Sequence, residues 1–242
     1  MPRILFVAAT SLELEPLRRQ IAGARPGFAA TFAVTGVGKA SAALQTALAI
    51  GRSRPRLVMQ VGCAGAFRGS GLSVGDVAIA TGEVLGDEGV ISPRGFIDLR
   101  QLSLPALAGK GSAPAIYNEV PLSPIARSTW QAVRRMSAGR FHVKQGLLDT
   151  VSSGSGTTAA ARRMEARWGA LAESMEGAAA ALSARALGLR MIEVRGISNA
   201  AGNRRRGDWD VPLACAHAAE VALVVATLEG RANQGGKRRA HR

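Results

Sequence analysis

Aromatic residues are scarce in this chain, at 4% of 242 residues. Proteins that track nucleic acid stack bases on aromatics interleaved with basic residues, and the sequence has neither that interleaving nor an RRM, KH or helix-turn-helix signature. No nucleic-acid partner is therefore expected. Acidic residues are also few, 17 against 31 lysines and arginines, for a net charge of +14. Without a nucleic-acid motif, that excess fits a basic proteome and an anionic small substrate. Part of it is local: residues 230–242 contain Arg231, Lys237, Arg238, Arg239 and Arg242 and no acid, and are expected to form a basic, disordered tail. Two cysteines, Cys63 and Cys215, make no disulfide framework and suit a reducing, cytoplasmic setting as buried thiols. Three histidines stand far apart without ligand spacing, so no metal site is expected. The apolar run Ile4 to Ala9 is too short for a secretory signal, and no apolar stretch is read as long enough to span a bilayer, so no membrane partner is expected.

What is present is an alternation of apolar runs, small-residue loops and helical patterns. Arg3 to Ala9 reads as a strand buried on both faces. Pro16 suits the first turn of a helix, so the following helix is placed near Glu15, leaving Glu13 in a strand-to-helix loop where open α/β sheets bind ligands. Phe28 to Thr35 is a second strand, followed by Thr35-Gly-Val-Gly38 and a helix to about Ile50. The pair Gly36-x-Gly38 lacks the third glycine and the later ribose-binding acid of a dinucleotide fingerprint, and no cofactor is expected. Leu57 to Val61 is a third strand with Gly62-Cys-Ala-Gly65 read as a second glycine loop. After a strand ending at Thr81, the stretch 82–124 reads as irregular, of the kind that forms lids or partner surfaces. A helix from Ser123 to Met136, a strand from Phe141 to Val151, and a polar loop, Ser152 to Thr158, come next. Then comes a small-residue helix begun by Glu173-Ser-Met-Glu-Gly-Ala-Ala179, the strand Met191 to Ile197, and a closing helix from about Pro212 to Leu228. A carboxylate at a helix start is ordinarily a dipole partner, so Glu176 needs support from other segments before it is read functionally.

That support is an ordered set: Glu13 after the first strand, Thr35-Gly-Val-Gly38, Gly62-Cys-Ala-Gly65, and Glu173-Ser-Met-Glu176 followed by Arg195-Gly-Ile-Ser-Asn199. With it, residues 3 to about 229 resemble the purine nucleoside phosphorylase/hydrolase superfamily. The resemblance implies an α/β fold: one domain over residues 1–229, in three α/β/α layers around a central mixed sheet. It also implies cleavage of an N-ribosidic bond in a small nucleoside, by a homodimer or larger homo-oligomer. Within the superfamily, the Glu-Ser-Met-Glu and Arg-Gly-Ile-Ser-Asn segments, with Asn203-Arg204, Trp209 and Pro212, look most like the branch that hydrolyses futalosine in menaquinone synthesis. Sister nucleosidases acting on methylthioadenosine, S-adenosylhomocysteine or aminodeoxyfutalosine, and phosphorylases, are the alternatives, with a basic nucleic-acid-binding protein, suggested by the +14 charge, as the non-enzymatic one.

By the same resemblance Glu13 is the base for water and Glu176 accepts the ribose hydroxyls. Met175 packs beside the sugar, and Asn199 meets the N7 side of the purine. Gly38, Ala64, Gly65, Ser152 and Ser153 are the loop residues expected at substrate, with Arg204 and Trp209 from the last loop. Related adenine-specific nucleosidases carry Asp where Asn199 stands; an amide donates to the O6 and N7 acceptors of a 6-oxopurine without being protonated, so a hypoxanthine leaving group is expected. A benzoate on the substrate would suit an arginine fork, with Arg204, Arg205 and Arg206 as candidates and Arg94 and Arg100 as competitors. The loop Ser152–Ser155 lacks the base-stacking aromatic of adenine-specific relatives, leaving Phe67, Phe96 or Trp209 as substitutes. Lys39 is the nearest candidate for a phosphate ligand.

Overall fold

A computed structural model describes residues 1–24, 26–203 and 205–232. The apolar run at the start forms strand β1 (Arg3–Ala8), and its period of two divides its side chains between two helical layers. Ile4, Phe6 and Ala8 join the core beneath helices α1 (Ser11–Ala24), α3 (Arg127–Ser137) and α6 (Val211–Ala232). Leu5 and Val7 face α2 (Lys39–Ser53) and α5 (Gly177–Ala186) on the opposite side. Strand β3 (Leu57–Ala66) repeats the pattern, with Met59 on the first side and Val58 on the second. The architecture is three-layer α/β/α around a mixed sheet, as the sequence reading expects.

Strands β1 and β2 (Ala29–Val34) extend the sheet in parallel from β3. Beyond β3 the sheet closes on itself. Strand β3 pairs with β9 (Ala172–Ser174) and β9 with β8 (Val143–Thr150). Strand β8 pairs with β4 (Val77–Leu85), β4 with β10 (Arg190–Ala200), and β10 returns to β3. The ring places polar side chains of β4, β8 and β10 in a dry interior. The stretch read as irregular is partly ordered: β4 runs on to Leu85, a hairpin joins β5 (Gly89–Ser92) to β6 (Gly95–Asp98), and β7 (Glu119–Pro121) pairs with β4.

Three expectations are corrected. Gly62 to Gly65 is not a loop but the continuation of β3, paired with β10 and, at Gly65, with β9. Its glycines serve close approach: a Cβ on Gly62 would fall 2.7 Å from Arg195 Nη1 and overlap Glu13. Glu173 to Met175 does not open a helix, because β9 occupies Ala172–Ser174 and α5 starts at Gly177. The third correction is α6, whose residues Val211–Gly230 are long and apolar enough to cross a bilayer by length and composition. Here Ala218, Val221, Ala222 and Val225 of α6 fill the core, and Glu229 near its end accepts hydrogen bonds from Ala126 N, Thr129 Oγ1 and Arg190 Nη2. The basic tail expected over 230–242 is described only as far as Ala232, and residues 233–242 lie outside the described residues.

Candidate active site

The cleft opens at the ends of β1, β3 and β10. Glu13 enters it from the first turn of α1, not from a loop. The residues Thr10-Ser-Leu-Glu13 form a reciprocal capping box: Thr10 N and Oγ1 donate to Glu13 Oε2 at 3.0 and 2.9 Å, while Glu13 N faces Thr10 Oγ1 at 3.4 Å. Pro16 therefore lies past the first turn, inside the helix. The T-x-x-E spacing is the sequence signal that marks this helix start. Cys63 N donates to Glu13 Oε1 at 3.1 Å, fixing the carboxylate from the sheet side.

Glu176 immediately precedes α5, its carbonyl accepting from Ala180 N at 3.0 Å. Its Oε1 accepts from Gly38 N at 3.1 Å, in a turn where Gly36 and Gly38 have φ of 77° and 90°. These angles favour glycine. Its Oε2 lies 3.4 Å from Arg195 Nη2. Arg195, wholly buried on β10, is the residue that joins the site from behind. Its Nε donates to Glu193 at 2.7 Å, its Nη1 to Cys63 O at 3.2 Å, and Nη1 stands 4.0 Å from Glu13 Oε1. Burial alone would favour loss of its proton, but Glu193, Glu176 and Glu13 outweigh that and hold the guanidinium pKa above its already high value. Arg195 carries no role of its own in the Arg-Gly-Ile-Ser-Asn pattern; an arginine two positions from Glu193 in an apolar strand is the signal for a paired, buried charge.

Asn199 reaches the cleft because β10 slips register against β3 between Ile197 and Asn199. Its Oδ1 accepts from Ser198 Oγ at 2.8 Å and its Nδ2 donates to Ala200 O at 2.9 Å, leaving one N–H for a ligand. Gly65 makes room beneath it, since a Cβ there would lie 3.0 Å from Nδ2. Cys63, expected to be buried, lines the cleft. The Cys215 thiol hydrogen-bonds to it and lowers its pKa.

The cleft encloses about 310 Å³, and Glu13, Ala64, Gly65, Met175, Glu176, Asn199 and Trp209 all line it. That volume suits a small-molecule ligand. Gly38 meets it through its bond to Glu176. Ser152 and Ser153 are exposed instead, Ser152 N donating to Asp87 at 2.7 Å, and the wall is built by Val151, Gly154 and Ser155. Ser155 is fixed by Glu173, which accepts from its N and Oγ at 2.9 and 2.7 Å. Arg204 lies outside the described residues. Arg94 and Arg100 are not at the cleft; Arg100 stacks on Tyr117 at 4.6 Å. Of the aromatic candidates, Phe67 is in the core and Phe96 packs edge-on against Trp168, leaving Trp209 on the cleft. Lys39 is held by Asp87 and, at 3.0 Å, by Glu88.

The model of the family described as Phosphorylase superfamily matches residues 3–229. The chain belongs to that superfamily. Among its curated members, futalosine hydrolase of Acidothermus cellulolyticus is 34% identical over 219 residues, covering 86% of this chain and 84% of the relative. Futalosine hydrolase of Thermus thermophilus is 35% identical over 209 residues, covering 85% and 82% respectively. In fold, the superfamily chain aligns with methylthioadenosine/S-adenosylhomocysteine nucleosidase of Neisseria meningitidis, solved with methylthio-immucillin-A, at a TM-score of 0.77 and 22% identity, covering 94% of this chain and 100% of that one.

Proposed function

We propose that this protein hydrolyses the N-ribosidic bond of futalosine, releasing hypoxanthine and dehypoxanthine futalosine. One observation carries hydrolysis over phosphorolysis. Among the described residues lining the cleft, Glu13, Glu173 and Glu176 are acidic and none is lysine or arginine. A phosphate dianion would meet three carboxylates there and no lining cation, whereas an oxocarbenium-like sugar is favoured by them. The identity to two curated futalosine hydrolases supports the substrate.

In this reading Glu13 takes a proton from water as its oxygen attacks C1′ of the ribose. The electron pair of the C1′–N9 bond leaves with the purine, which gains a proton. Glu176 accepts from the ribose hydroxyls and Met175 packs against the sugar. The N–H of Asn199 not bound to Ala200 donates to the 6-oxopurine; donating to both O6 and N7 would need the Ala200 bond to open. Trp209 is the aromatic offered to the substrate. The same reading has the protein in the cytoplasm as a homodimer or larger homo-oligomer, for which exposed Leu44 and Leu48, one helical turn apart on α2, offer an apolar face.

The test is free-base release from futalosine, aminodeoxyfutalosine, inosine and methylthioadenosine, each with and without phosphate. Hypoxanthine from futalosine, independent of phosphate, is the expected result; adenine release, or a need for phosphate, would overturn it. Asn199→Asp is expected to shift preference toward 6-amino nucleosides by about tenfold or more in kcat/KM, since a lost donor to a buried acceptor is costly.

A further inference from the structure

We propose that Glu83 and Glu193 share one proton inside the strand ring, and that this pair is a positioning group that holds Arg195 against the cleft. Both side chains are fully buried, Glu83 on β4 and Glu193 on β10. Each has one oxygen accounted for. Glu83 Oε2 accepts from Thr150 Oγ1, which itself accepts from Ala178 N at 2.8 Å, and Glu193 Oε1 accepts from Arg195 Nε at 2.7 Å. The other oxygens, Glu83 Oε1 and Glu193 Oε2, have no hydrogen-bond partner. They meet over Gly177, where a Cβ would lie 2.5 Å from both. Gln60, the register neighbour of Glu193 on β3, donates to neither.

Two buried acceptors facing each other without a donor are untenable when both carboxyls are ionised. One proton between them turns the clash into a charge-assisted hydrogen bond. Glu193 is tied to the guanidinium, so the proton belongs on Glu83, whose carboxyl is held well above the usual range by burial first and by the charge of Glu193 second. The pair then carries one negative charge. That is enough to anchor Arg195 Nε while its other nitrogens remain directed at Cys63 O, Glu176 and Glu13.

The kinetic consequence rests on the futalosine reading, because it requires Glu13 and Glu176 to act on a nucleoside; the shared proton itself does not. Infrared difference spectra of wild type minus Glu83→Gln at neutral pH are expected to show a protonated-carboxyl C=O band that shifts in D2O. With futalosine, Glu83→Leu is expected to lower kcat about tenfold or more with a smaller change in KM. Glu83→Gln is expected to restore it to within about threefold, because the amide donates to Glu193 as the acid does. Glu193→Gln, which removes the charge from Arg195, is expected to lower kcat more than Glu83→Gln. Absence of the carboxyl band, or glutamine rescuing no better than leucine, overturns the proposal. Should wild type release no base from futalosine, the substrate reading fails while the infrared result still decides the shared proton.

Discussion

Buried carboxylates stand in two kinds of setting, and the fold treats them in opposite ways. Glu13 and Glu176 are surrounded by donors: backbone N–H groups of Thr10, Cys63 and Gly38, and the guanidinium of Arg195. Asp149 on β8, also fully buried, has no hydrogen-bond partner for either oxygen and has the backbone of Gly86 pressed against it. Burial pushes its carboxyl up to about 8, helped by Glu173 and Asp87 and only partly offset by Lys39 and Arg167. A carboxylate can be kept charged in a dry site if donors are built around it; otherwise it gives up its charge. The donors stand where charge would serve a sugar cation.

The comparison is broken most severely at Arg195. Arg195→Met is expected to leave Glu13, Glu176 and Glu193 without their common cation, costing about 3–5 kcal/mol in denaturant unfolding and abolishing measurable base release. A variant as stable as wild type would mean that the carboxyls take up protons from solvent in its absence. Glu13→Gln keeps the shape and removes the base. Its expected effect is a loss of about 10²–10⁴ in kcat with a modest drop in thermal midpoint, because the amide nitrogen must face one of the N–H groups the carboxylate accepts from. Loss of the fold instead would assign Glu13 to capping α1 rather than to chemistry.

Asp149→Asn sharpens the other side. The native carboxyl titrates near 8 and the unfolded one near the usual 3.8, so the native state binds the extra proton between those values. Stability from this group is therefore present at the acid end and is lost as pH rises toward 8. The variant is expected to gain about 1–3 kcal/mol over wild type at pH 8 and little at pH 4, measured by thermal unfolding across that range. An equal gain at both pH values would show that the aspartate charge is not what costs stability there.

Much of this was legible in the chain because it depends on local pattern. The strand at Arg3–Ala8 follows from one apolar run, and the turn at Gly36–Gly38 from backbone angles that glycine adopts without strain. The start of α1 was misread because Pro16 was given more weight than the Thr10–Glu13 capping box. The strand character of Gly62–Gly65 was hidden because glycine signals a turn and a close approach equally well, and only the positions of Glu13, Arg195 and Asn199 distinguish them. Ser152 and Ser153 face solvent while Gly154 and Ser155 form the wall, a difference of two residues that no periodicity encodes in a loop.

The sequence by itself determined the layers, since the period-two split of β1 and β3 between two helical faces is written in their apolar residues. It also determined which acids deserved notice, Glu13 and Glu176, through the motifs around them. Only the tertiary structure decided what holds those acids. Arg195, Glu193 and Glu83 come together because β10 pairs with both β3 and β4 and closes the ring. Glu83 and Glu193 are far apart in sequence, and each alone reads as an oddity in an apolar strand. Their meaning is electrostatic, and electrostatics depends on distance in space and on the exclusion of water, which strand pairing sets and local sequence does not.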